Sequence, residues 1–196
     1  MISNPKKPLL AAACVLAAVA VLAVPASASA SVWLHKGEAL KTKVTLSLEG
    51  SEVIEVGESV LLCNNTATMT TEGGSTAKIT AYNPNKATCI GLAGKLVGCE
   101  ATAISPTGLS WSVAVNTSDL TAKEVKVDYT FNKGCGIQKI ETSIASLTLT
   151  PETAKEIRSF HFNQETKAVV DGKGSTLIFS GTLNLPEKDF DTYGIG

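Results

Sequence analysis

The stretch Lys43-Val44-Thr45-Leu46-Ser47-Leu48 sets Val44, Leu46 and Leu48 on one side of an extended chain and Lys43, Thr45 and Ser47 on the other. Successive side chains of a strand point to opposite faces, so strict alternation of apolar and polar residues describes a half-buried β-strand. A helix would instead repeat its apolar positions at every third or fourth residue. The same alternation returns in Val125-Lys126-Val127-Asp128-Tyr129-Thr130-Phe131 and in Leu177-Ile178-Phe179-Ser180-Gly181-Thr182-Leu183-Asn184-Leu185. Working outward from these anchors, further strands are predicted over 32–35, 52–56, 59–69, 77–82, 87–90, 96–104, 109–115, 138–149 and 159–162. Threonine is abundant throughout them, and its branched side chain suits a half-buried pleated surface.

Turn chemistry separates the runs at short intervals: Gly57-Glu58, Glu72-Gly73-Gly74-Ser75, Asn83-Pro84-Asn85, Ser105-Pro106-Thr107-Gly108, Asn132-Lys133-Gly134 and Asp171-Gly172-Lys173-Gly174. These residues supply positive φ or fix a turn. Many short strands at this spacing predict an all-β fold, an antiparallel β-sandwich with a β-barrel as the alternative. One short helix is expected near residues 151–158, where Thr150 can cap a helix that Pro151 opens and Glu152 to Arg158 continue.

The first thirty residues read as an export signal. Lys6 and Lys7 precede an apolar run from Leu9 to Val24, which is followed by Pro25 and the small residues Ala26-Ser27-Ala28-Ser29-Ala30. Cleavage is expected after Ala30, leaving a single all-β domain over 31–196 and removing Cys14 with the signal. The run of 16 residues falls short of the ~20 that a bilayer-spanning helix needs. No second apolar span follows, so no membrane span is expected after cleavage. Without Lys6 and Lys7, 15 basic residues face 18 acidic ones, a net charge of −3, and the lysines are scattered singly. That pattern is not the basic face or stripe of a nucleic-acid binder.

Four cysteines remain, Cys63, Cys89, Cys99 and Cys135. An even count in an exported chain predicts two disulfides, with three possible connectivities. The three glycines between Cys89 and Cys99 allow a tight reversal, so the expected pairs are Cys89 with Cys99 and Cys63 with Cys135. On the chain-entropy model the longer loop is the more stabilising, at about 4.4 against about 2.8 kcal/mol. No paired Cys or His at zinc spacing occurs, and no metal or cofactor is expected.

Candidate chemistry is sparse. Only His35 and His161 offer a base near neutral pH, and Phe160 and Phe162 flank His161 so that on a strand it faces away from them. Ser75-Thr76-Ala77-Lys78 has the S-x-x-K spacing of serine acyl-transfer enzymes, but it leads into a strand and the companion motifs are missing. Asp171-Gly172-Lys173-Gly174-Ser175-Thr176 departs from the order of a phosphate-binding loop and reads as a hairpin turn. Glu187, Asp189 and Asp191 read as solvated charge, not a calcium site. Trp111, after a turn and before Ser112-Val113-Ala114-Val115, reads as a core anchor.

Val32-Trp33-Leu34-His35-Lys36-Gly37, Leu61-Leu62-Cys63, Ala87-Thr88-Cys89 and Gly98-Cys99-Glu100-Ala101-Thr102-Ala103-Ile104, followed by Leu109-Ser110-Trp111, carry a resemblance over roughly 32–115. The stretch resembles uncharacterised secreted β-rich, disulfide-containing proteins of high-GC Gram-positive, actinobacterial-type bacteria. The resemblance implies an exported, disulfide-bonded β domain and no established activity.

The expected function is that of a secreted or cell-envelope β-domain without catalysis, with a binding or structural role toward a cell-surface component. The alternatives are a small secreted hydrolase, which needs His35 or His161 beside a buried carboxylate and a serine, and a barrel that carries a small apolar ligand.

Overall fold

Long alternation becomes long strands. The computed structural model describes residues 31–196, and the export signal read at 1–30 lies outside the described residues. The strands are β1 (Trp33–His35), β2 (Glu38–Ala39), β3 (Val44–Val56), β4 (Ser59–Thr71), β5 (Thr76–Pro84), β6 (Ile90–Ala93), β7 (Ala101–Thr107), β8 (Trp111–Val115), β9 (Leu120–Phe131), β10 (Lys139–Pro151), β11 (Ser159–Val170), β12 (Lys173–Asn184) and β13 (Tyr193–Ile195). Short 3-10 turns lie at Lys86–Thr88, Gly94–Leu96 and Glu187–Asp189.

Every pairing is antiparallel, and β3, β4, β5, β8, β9, β10, β11 and β12 close on one another as an eight-stranded barrel, because β10 pairs with both β9 and β11. The all-β expectation holds, and the closed barrel is the form it takes. Closure follows from strand length: strands of 12 or 13 residues twist far enough for the two edges of the sheet to meet. β3 and β12 approach closely at two glycines: Gly50 and Gly181 face the interior, and a Cβ on Gly50 would collide with the Thr182 carbonyl oxygen. Only glycine permits that approach.

The wall between β4 and β9 is built in two parts. Toward one end β5 and β8 fill it, with Thr76 to Ile79 in register with Ala114 to Trp111. Toward the other, β6 pairs with β4 and β7 with β9, and the two are joined at the isolated pair Ile90 and Glu100. Pro106, read as a turn residue, lies in β7 opposite Val127. A proline is tolerated there because β7 is an edge whose outer side needs no N–H donor.

The disulfides correct the expected pairing: Cys63 bonds Cys89 and Cys99 bonds Cys135. The glycine-rich reversal does form and brings the two backbones together, since Gly91 N–H donates to Cys99 O and Ala101 N–H to Cys89 O. The side chains part from there. Cys89 is buried against Cys63 of β4, while Cys99 turns to the β9–β10 loop. Two disulfides fit an oxidising, extracytoplasmic compartment. Among the described residues no helix is long and apolar enough to cross a membrane.

No helix forms at 151–158 either. Pro151 ends β10 opposite Phe160, and the backbone beyond it is committed elsewhere: Ile157 N–H donates to Tyr193 O, and Ala154 O accepts from Ile195 N–H. Those bonds hold the small sheet β13-β1-β2 against this end of the barrel. Trp33, fully buried, joins it to the β4–β5 turn through a bond from its backbone N–H to Gly74 O.

Candidate functional site

Side chains that alternate inward fill the barrel. Phe162 stacks on Phe179 with centroids 5.1 Å apart, and Tyr82 tilts against Trp111 at 5.5 Å. Between these rings remains a cavity of about 10 Å³. That is room for about one water molecule and none for an apolar ligand.

One carboxylate lies in this interior. Glu52 on β3 is fully buried, and its Oε1 accepts from the Tyr129 hydroxyl at 2.8 Å. Its Oε2 accepts from the Tyr82 hydroxyl and from Asn65 Nδ2 at 3.4 Å. Loss of water around the charged form drives the Glu52 carboxyl up from 4.5 to about 7, with the three hydrogen bonds holding it from going higher. Burial, and then the nearby carboxylate, push both tyrosines well above 10, so both remain neutral donors. Asn65 Oδ1 is buried without a partner. Asn65 Nδ2 donates to the Tyr82 hydroxyl at 3.1 Å as well as to Glu52, so the amide's donors face the cluster and its oxygen faces away.

Sequence reasoning missed this cluster, although part of it was visible. Glu52 stands in phase with Ile54 and Val56, Asn65 with Cys63 and Ala67, and Tyr129 with Val127 and Phe131, each on the apolar face of its strand. A polar residue in phase with apolar neighbours is the signal. Tyr82 carried none, because a bulge at Thr80 shifts the β5 register and turns Tyr82 inward against the alternation.

The residues weighed as chemistry lie apart from Glu52, on the outside. His161 is exposed while Phe160 and Phe162 are buried. Its Nε2 lies 3.3 Å from Ser159 Oγ, on the barrel's outer side and away from the buried carboxylate. His35 packs against Tyr193, ring centroids 5.6 Å apart. Lys78 of the S-x-x-K match projects outward from β5, and Asp171-Gly172 forms the β11–β12 turn with φ of 48° and 78°. Two positive φ values are those of the tight turn that matches strand twist. Asp171 Oδ1 also accepts from the N–H groups of Gln138 and Lys139. Asp191 pairs with Arg158, and among the described residues no three His, Cys, Asp or Glu side chains gather as a metal site.

Four open concave surfaces lie among the described residues, of which those at Lys126, Asp128, Glu141 and Lys167 (about 620 Å³) and at Glu49, Asn64 and Asn184 (about 420 Å³) mix lysines with acids or lack a cation. The largest, about 690 Å³, lies at the barrel end away from the small sheet, among Glu58, Lys95, Ile137, Asp171 and Lys173, and neither histidine lines it. The second, about 630 Å³, runs over the outer wall at β5 and β8. Its polar side chains are Lys43, Lys78 and Lys123, several serines and threonines, and the single acid Glu72, which lies 3.8 Å from Lys43.

Compared with family models, with curated proteins and with solved structures, the chain matches none.

Proposed function

We propose that the chain is an exported, non-catalytic β-barrel that acts at the cell surface by binding a surface component with its outer wall. The observation behind this reading is the filled interior: the perturbed carboxylate Glu52 is fully buried, and the cavity among the interior rings is only about 10 Å³. A catalytic acid must come within about 3 Å of its substrate. A carrier for a small apolar molecule needs a cavity of about 300 Å³ or more. The outer wall at β5 and β8 presents hydroxyls and three lysines with one acid, as a surface meeting a polar polymer would.

The test has two parts. Protein recovered from outside the cell is expected to have the intact mass of a chain beginning at Ser31, and it is expected to cosediment with isolated envelopes of the producing cells. Protein that retains Lys6 and Lys7, or that stays wholly in the supernatant, contradicts the reading. Ester hydrolysis abolished by His161→Ala would replace it with an enzyme.

A further inference from the structure

Strand register places the polar residues of the outer groove in one row. Thr45 of β3 pairs with Thr70 of β4, Thr70 with Lys78 of β5, and Lys78 with Ser112 of β8. Continuing the Val113 and Ala122 register by one residue sets Lys123 of β9 opposite Ser112, and Lys123 pairs with Ser146 of β10. The row therefore reads Thr, Thr, Lys, Ser, Lys, Ser across the staves. Lys78 and Lys123 stand two strands apart, about 10 Å.

The charges of this row are free to act outward. Lys43 engages Glu72, the one acid lining the groove, whereas Lys78 has no acidic partner among the described residues and Lys123 bonds only the Ser146 hydroxyl, at 3.0 Å. The groove lacks two groups that other ligands would call for. Tyr82 and Trp111, carried by the same strands, are buried in the barrel, so no ring is presented for stacking on a sugar face or a base. The chain's one arginine, Arg158, is held by Asp191, so no planar fork is offered to a carboxylate. Lysine acts as a point charge, which suits a tetrahedral phosphate approached from any side.

Resting on the reading of an envelope-binding wall, we propose that the groove of Lys78, Ser112 and Lys123, extended by Ser146 beside it, binds a phosphodiester-linked polyol chain. The lysines meet successive phosphates, and the serine and threonine hydroxyls meet the polyol oxygens between them.

The experiment measures binding of the secreted wild-type chain and of the Lys78→Glu/Lys123→Glu variant to poly(glycerol phosphate) by calorimetry at low and at moderate salt. Both lysines are exposed, so the variant is expected to keep the wild-type melting temperature. Binding should weaken as salt rises and should fall about ten- to thirty-fold or more in the variant. Equal affinity of variant and wild type removes the groove from the proposal. Polygalacturonate or a single-stranded oligonucleotide bound as tightly as the polyol phosphate overturns the choice of ligand, and dextran bound as tightly overturns the role of charge. Envelope cosedimentation of the variant keeps the two readings apart. If the variant cosediments like the wild type, the surface-binding reading stands and this groove is not its site.

Discussion

The two parts of the wall between β4 and β9 solve one problem by different means. In the β5–β8 part, β5 pairs with β4 and β8, and β8 with β9, so backbone hydrogen bonds run unbroken from stave to stave. In the β6–β7 part the strands meet at one bridge, Ile90 with Glu100, and the cysteines beside it, Cys89 and Cys99, are bonded to β4 and to the β9–β10 loop. Covalent bonds stand where ladder pairing is thin. The Glu52 cluster lies between, since Tyr82 belongs to β5 beyond its last pair with β8 and Tyr129 to β9 where it pairs with β7.

The difference is broken most severely in the paired part. Trp111→Ala removes a ring packed against Tyr82 and beside the interior cavity, and is expected to cost about 3–5 kcal/mol in denaturant titration. A loss below about 1 kcal/mol would show that the ladder, not the packing, holds that part.

Removal of the disulfides probes the other part. With sequence separations of 26 and 36, the chain-entropy model gives at most about 3.5 kcal/mol for Cys63–Cys89 and about 3.8 for Cys99–Cys135. Replacing each pair by alanine is therefore expected to shift the denaturant midpoint by nearly the same amount. Hydrogen exchange should quicken over 90–107 and stay slow over 76–79 and 111–115. Uniform quickening would mean that the two parts open as one.

The cluster between them gives a pH dependence. Glu52 holds its proton up to about 7 in the folded chain and about 4.5 in the unfolded one, so its contribution is intact below pH 4.5 and is lost as pH rises to 7. The total is about 3 kcal/mol, after which the dependence levels off. Glu52→Gln should flatten this slope, because the amide carries no charge to desolvate at any pH in this range. Parallel pH profiles for the two proteins would contradict the assignment.

The smallest effect is expected on the outer face of the paired part. Lys78→Ala should change stability by less than about 0.5 kcal/mol, because the side chain is exposed and no ion pair holds it. A larger loss would mean that the outer row contributes to the barrel itself.

What was legible in the sequence follows the same division. Where a strand is half-buried and unbroken, as at Val44 to Leu48 or Val125 to Phe131, alternation reports both the strand and its inner face. The turns at Gly57-Glu58 and Asp171-Gly172 were legible because their backbone angles select residue type. Closure was not, since a sandwich and a barrel present the same alternation, and the ring needs the long-range pairing of β3 with β12, which no local pattern reports. The cysteine partners were hidden for a related reason: sequence spacing shows which backbones can approach, not which way their side chains turn. Of the interior cluster, Glu52, Asn65 and Tyr129 were in phase with the core and readable, and Tyr82 was concealed by the bulge. The outer groove has no local signature, because its lysines are separated in sequence and are gathered only by register.

In the small sheet Trp33 pairs with Ile195, and Val32 N–H donates to Gly196 O at 2.7 Å. The described backbone is thus nearly a circle. Cut at any hairpin and rejoined across 196 and 31, it would keep the same staves and the same ladders, as circular permutants of domains with adjoining ends do. The order of staves around the ring is therefore carried by the ladders and the apolar faces they align.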